Sequence, residues 1–126
     1  MIARGTAHYP RPAAIDAYGN GGFRFAEMSH RGSLLILPSG IYGWQPPAPD
    51  ALDAEALSAV LAERDRIEFL LLGTGRVQVF PSPALRRAFA DAGVGLEPMS
   101  TGAACRTFNV MLAERRAVAA ALVAVE

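Results

Sequence analysis

Three groups of residues in this chain are of the types that do chemistry. Cys105, the single cysteine, is followed by Arg106 in the first turn of a helix expected to begin at Ser100 or Thr101. The helix dipole and the guanidinium there predict a lowered thiol pKa. A nucleophile also needs a base. No His, Asp or Glu is placed beside Cys105 by the sequence, since His8 and His30 both lie in the N-terminal quarter, and the ordinary role of a lone cysteine is a small buried residue. No catalytic residue is nominated, and the histidines and carboxylates show no metal-ligand spacing.

The second group is two turns of small residues. Gly73-Thr74-Gly75 follows the apolar run Ile67–Leu72, and Ser100-Thr101-Gly102-Ala103-Ala104 opens the helix. The first N–H groups of a helix have no partner within it, so Gly102, Ala103 and Ala104, with the hydroxyls of Ser100 and Thr101 and the Arg106 guanidinium, could hold a small anion or carboxylate. Asn109, three residues on, would join Arg106 in one polar patch. The plainer alternative makes Ser100 or Thr101 a helix cap, pairs Arg106 with Glu97, and uses Asn109 as a brace to a neighbouring loop. The ligand-binding candidates are thus Gly73, Thr74, Gly75, Ser100, Thr101, Gly102, Ala103, Arg106 and Asn109. The candidacy requires the two turns to meet in the fold and to stay open to solvent. Gly73-x-Gly75 lacks the third glycine of a dinucleotide fingerprint, and a phosphate loop needs a lysine that this chain does not have, so no cofactor is expected.

The third group is aromatic. Tyr42 and Trp44 lie in a Gly/Pro-punctuated stretch, residues 39–49, expected to be a loop. They are the candidates for contact with a protein partner, against the more ordinary role of packing.

Composition bounds what these groups can serve. With 126 residues, 52% of them hydrophobic, the chain fits one domain with one core. Its 12 basic residues are all arginine and are balanced by 12 acidic ones, which provides no net field for nucleic acid or an anionic membrane. One cysteine excludes an internal disulfide. No run approaches the roughly 20 apolar residues of a membrane span. Met1–Thr6 lacks the apolar stretch of a signal peptide, so a cytoplasmic location is expected.

The elements that must position the three groups follow in order. Residues 1–12, with Pro10 and Pro12, read as an extended arm, and 13–126 as a single α/β domain. Residues 14–18 and 23–28 alternate apolar and polar around the turn formers Gly19-Asn20-Gly21-Gly22, which predicts a hairpin with Phe23 and Phe25 on one face. Ser29-His30-Arg31-Gly32 is expected to turn into a strand at 33–37, apolar throughout and therefore covered on both faces. A helix of about three turns is expected from an N-cap at Asp53, burying Leu57, Val60 and Leu61. Residues 67–72 predict a central strand and 77–80 a short one. Ser82 caps a helix with Pro83 at its first position, Leu85 and Phe89 on its inner face and Gly93 at its end. A short strand at 94–97 is closed by Pro98. The last helix runs from Ser100, and Val118, Leu122 and Val125 continue its stripe past an expected bend or stop at 114–116. Strands alternating with helices predict a three-layer α/β domain with a central mixed sheet and an N-terminal β-hairpin.

Leu71-Leu72-Gly73-Thr74-Gly75, the stretch Gly93–Met99, Thr101-x-Ala103-Ala104-Cys105-Arg106-Thr107-x-Asn109 and Glu114-x-Arg116, with Gly32–Leu35, Pro38 and Trp44 upstream, resemble an uncharacterised-domain family, DUF498/DUF598. That family includes bacterial proteins of unknown role and a mitochondrial assembly factor for respiratory complex I. The resemblance runs from about Asp16 onward. It implies a single three-layer domain with no established enzyme activity, and hence a non-enzymatic binding or assembly module with a protein partner. The alternative is a small-anion or carboxylate binding protein or enzyme, its pocket lying between the Gly73–Gly75 turn and the Ser100–Arg106 helix start. Family members commonly carry a glycine where this chain has Arg115.

Overall fold

Leu34, Leu35, Ile36 and Leu37 alternate between two cores, because successive side chains of a strand point to opposite faces. Leu35 and Leu37 join one buried cluster with Leu70, Leu72, Ala119 and Ala121, while Leu34 and Ile36 join another with Leu71, Ala120 and Leu122. A sheet apolar on both faces lies between them. A computed structural model describes residues 6–126. Its elements are β1 (Ile15–Gly19), β2 (Gly22–Phe25), β3 (Met28–Arg31), β4 (Ser33–Leu37), β5 (Gly40–Trp44), α1 (Ser58–Leu61), β6 (Phe69–Gly73), α2 (Pro83–Ala92), β7 (Gly95–Met99), α3 (Thr101–Ala113) and β8 (Val118–Leu122), with single 3-10 turns at Pro49–Ala51 and Arg64–Arg66.

The central sheet has five strands in the order β5-β4-β8-β6-β7 and is mixed: β8 pairs antiparallel with β4 and parallel with β6. The first cluster covers one face through Leu57, Val60, Leu85 and Phe89 from α1, its flank and α2. The second covers the other through Ala104, Cys105 and Phe108 of α3 and Ile15, Phe23 and Phe25 of a separate three-stranded sheet, β1-β2-β3. The expected α/β layering with a mixed sheet is the architecture found.

Several elements form for the reasons read from the sequence. Asn20 and Gly21 both take left-handed φ (53° and 79°), which a two-residue hairpin turn requires. Phe23 and Phe25 are buried while Arg24 faces solvent. The Ser82 hydroxyl accepts the Leu85 N–H at 3.1 Å, Pro83 opens α2, and Gly93 at φ 74° ends it. At the end of α3, Arg115 takes the same left-handed role at φ 59°, with Arg115 N–H donating to Leu112 O and Arg116 N–H to Met111 O. This Schellman cap is the expected stop, and its left-handed position is where family resemblance placed a glycine.

Other expectations need correction. Residues 118–122 are not helix but β8, the middle strand of the sheet: Val-Ala-Ala-Ala-Leu has helical propensity, yet each of its five residues is buried. The stretch expected to be a loop contains β5, antiparallel to β4 across Pro38-Ser39, with Gly40 at φ 151°. The hairpin gains a third strand, β3, where a turn was expected. It is joined by Ala26 and Glu27, both left-handed at φ 47° and 63°, in a turn that neither residue type signals. The helix expected from Asp53 shrinks to the four residues of α1, although the Asp53 carboxylate does accept the Ala56 N–H at 2.9 Å. Residues 77–80 form no strand. Of the arm, residues 1–5 lie outside the described part. The remainder runs along β5, with His8 N–H donating to Ile41 O at 2.8 Å and Ile41 N–H to Tyr9 O at 3.0 Å.

Candidate functional site

β6 and β7 run parallel and in register, Gly73 opposite Met99, so the turns that leave their C-terminal ends leave side by side. That brings together the two turns separated by some two dozen positions. Thr101 N–H donates to Gly75 O at 2.8 Å and Thr74 N–H to Met99 O at 2.9 Å. The Thr101 hydroxyl accepts the Gly75 N–H at 2.9 Å and donates to Val123 O at 2.7 Å. A Cβ on Gly73 would stand 3.0 Å from Thr101 Cα, so glycine lets the two backbones approach this closely. Gly73, Thr74, Gly75 and Thr101 are all buried. The turns are neighbours, as the candidacy required, but they are closed onto each other rather than open between.

The helix start is likewise occupied. Ser100 Oγ accepts the Ala103 N–H at 3.3 Å, the capping role. Over Gly102 lies Tyr18, whose hydroxyl oxygen would be 2.3 Å from a Cβ at that position. Arg106 is exposed and forms no ion pair with Glu97 or any other carboxylate among the described residues. Asn109 does not join it in a patch. Its Oδ1 accepts the Ile15 N–H and its Nδ2 donates to Ile15 O, both at 2.8 Å, so the amide acts as a clamp that ties β1 to α3.

Cys105 is 3% exposed, and burial pushes its thiol up to about 11, overriding the attraction of Arg106. The expected lowering is thereby corrected: the thiol faces the apolar core beneath α3, where a thiolate would lose its hydration. His8 and His30, distant in sequence, meet with ring centroids 4.9 Å apart and planes tilted by 41°. Burial holds the His30 pKa below its usual value, although its Nε2 lies 3.1 Å from Ser33 O. Among the described residues no three or more His, Cys, Asp or Glu gather as a metal site would need.

Tyr42 and Trp44 require a second correction, since both are buried in the core cluster with Leu35 and Leu37. The Trp44 indole N–H donates to Ala56 O at 2.9 Å, and the Tyr42 hydroxyl meets Ser39 Oγ at 2.6 Å. Their rings pack β5 against the α1 region and offer no surface to a partner. Sequence reasoning missed where apolar surface does stand out. Val77 and Phe80 are 66% and 72% exposed. They lie on the segment after Gly75, which Thr74 holds: its hydroxyl donates to Val77 O at 2.7 Å and accepts the Val79 N–H at 2.9 Å. Gln78 Nε2 donates to Pro98 O at 2.8 Å. The signal was available in Val77-Gln78-Val79-Phe80-Pro81, an apolar stretch too short and too near proline to enter the sheet.

Residues 15–123 match the family described as protein of unknown function DUF498/DUF598. The chain belongs to that family. DUF498/DUF598 relatives extend from bacteria to vertebrates. An uncharacterized protein of Rhodobacter capsulatus is 38% identical over 108 residues, covering 86% of this chain and 82% of its own length. NADH dehydrogenase [ubiquinone] 1 alpha subcomplex assembly factor 3 of Xenopus tropicalis is 32% identical, covering 86% of this chain; the chain spans 60% of that relative's length. A solved Bartonella henselae structure, named as an outer membrane protein, is 55% identical with a TM-score of 0.91, covering 94% of this chain and all of that one. No helix among the described residues of the present DUF498/DUF598 chain is long and apolar enough to cross a membrane.

Proposed function

We propose that this DUF498/DUF598 chain is a non-enzymatic binding or assembly module that docks a protein partner through the segment 76–80. The observation that carries the reading is the exposure of Val77 and Phe80 on a segment whose backbone the Thr74 hydroxyl holds at Val77 and Val79 and whose Gln78 side chain is tied to Pro98 O. A backbone already held in place gives up little conformational freedom on binding, so apolar side chains carried on it can serve as interface anchors at lower cost. The name of the Xenopus relative directs the search to proteins of an NADH dehydrogenase.

A photo-crosslinking amino acid at position 80, expressed in the native host, tests it against the same amino acid at exposed Arg87 on α2. The expected result is a discrete crosslinked protein from position 80 that is lost when Val77→Ser is added and absent from position 87. Equal crosslinking from both positions, or none from position 80, overturns the reading.

A further inference from the structure

The outer face of the three-stranded sheet carries a feature that docking through residues 76–80 does not use. In antiparallel strands, residues directly opposite share a face. Ala17, Arg24 and Ser29 form one cross-strand row, and Gly19, Gly22 and Arg31 form the next. The second row has glycine at two of its three places: a Cβ on Gly22 would stand 2.2 Å from His30 O, and Gly19 takes φ 127°, a backbone conformation that L side chains rarely adopt. The result is a hollow of about 380 Å³ lined by Gly19, Asn20, Gly22, Arg24, Ser29 and Arg31 among others.

Its charge is one-sided. Arg24 and Arg31 are diagonal neighbours, which sets their Cα atoms about 7–8 Å apart, within reach of a single small group. Ser29 Oγ accepts from Arg24 Nη1 at 2.7 Å and so steadies that guanidinium. Neither arginine forms an ion pair with a carboxylate among the described residues. No carboxylate lines the hollow; Glu126 reaches only its rim, where its Oε2 and Arg31 Nη1 would be 3.4 and 3.8 Å from a Cβ on Gly21. In a chain of zero net charge, two guanidiniums that form no ion pair among the described residues, set around bare backbone, make a local positive focus.

We infer that this hollow binds a phosphoryl group, held between the Arg24 and Arg31 guanidiniums over the glycine floor. The planar guanidinium pairs with phosphate oxygens two at a time, and the missing side chains leave room for a tetrahedral group that a flatter carboxylate would not fill. A soluble ester and a lipid headgroup both present such a group, and the chemistry of recognition is the same for both.

Backbone amide NMR at fixed ionic strength tests it with inorganic phosphate and pyrophosphate, and with chloride as the reference. The expected result is saturable shifts at Asn20, Gly22, Arg24 and Arg31, with Arg24→Gln and Arg31→Gln each weakening binding at least about tenfold. Both side chains are exposed, so unchanged spectra elsewhere show that the variants fold. Co-sedimentation with phosphatidate-containing against pure phosphatidylcholine vesicles, using the same variants, assigns the source to a lipid if only phosphatidate vesicles bind. Shifts that do not saturate, that chloride reproduces, or that survive both substitutions overturn the inference if phosphatidate vesicles also fail to bind. Docking at residues 76–80 stands or falls separately, because neither variant touches that segment.

Discussion

Cys105 illustrates how one residue's chemistry is decided by what surrounds it. In sequence it sits in the first turn of a helix beside a cation, which favours the thiolate; in the fold it faces Phe108 and the sheet, which favours the thiol, and burial is the larger effect. Its folded pKa of about 11 is above the ordinary 9.0, so folding favours the protonated form. The resulting stabilisation is complete below the unfolded value and is lost as pH rises from about 9 toward about 11. Urea unfolding of the native chain and of Cys105→Ala between pH 8 and 11 is expected to show the native chain's advantage shrinking over that window. A constant difference between the two would refute it. Asn109 was legible as a brace but its partner was not, because Ile15 lies 94 positions away and only the packing of β1 on α3 makes the clamp. For Tyr42 and Trp44 the ordinary packing role named from the sequence is the one found, while the strand that carries them was not legible in a Gly/Pro-punctuated stretch.

At the scale of elements, the sequence was readable wherever turn chemistry was explicit. The Asn20-Gly21 turn, the Ser82 cap with Pro83 and the Gly93 stop are each written in residues that favour the geometry they adopt. It was unreadable where ordinary residues take unusual backbone angles. Ala26 and Glu27 occupy the two left-handed positions of the β2–β3 turn, a conformation that costs about 1–2 kcal/mol per residue for L side chains. That unsignalled turn is why the residues of β3 read as a turn in the sequence. Replacing the pair by Ala26→Asn and Glu27→Gly is expected to raise stability by roughly 1–2 kcal/mol, since Asn-Gly is the preferred pair for such turns. Thermal and urea unfolding check this, and a neutral or destabilising outcome would mean that the turn is held by packing rather than opposed by its backbone.

For the whole molecule, the decisive element is the one the helical pattern concealed. Val118, Leu122 and Val125 fall at helical spacing, and alanine is the best helix former, so local preference favoured helix. What overrides it is position. β8 is small and apolar enough to lie between β4 and β6 while α3 packs on one face and Leu57 and Phe89 enclose the other. The residues just beyond it bind the remaining parts: Val123 N–H donates to Gly73 O at 2.9 Å, Val123 O accepts from Thr101, Ala124 N–H donates to Ser33 Oγ at 2.9 Å, and Val125 O accepts the Gly21 N–H at 2.8 Å. The final ten residues therefore join both sheets, both neighbouring strands and the paired turns at once. A chain ending at Arg116 keeps every helix and every other strand, yet it leaves β4 and β6 with unpaired inner edges and splits the two cores. It is expected to lose cooperative unfolding and amide dispersion together rather than to weaken by the increment of one strand. A dispersed spectrum with a single sharp transition from that shortened chain would show that β4-β5 and β6-β7 can close on each other without β8.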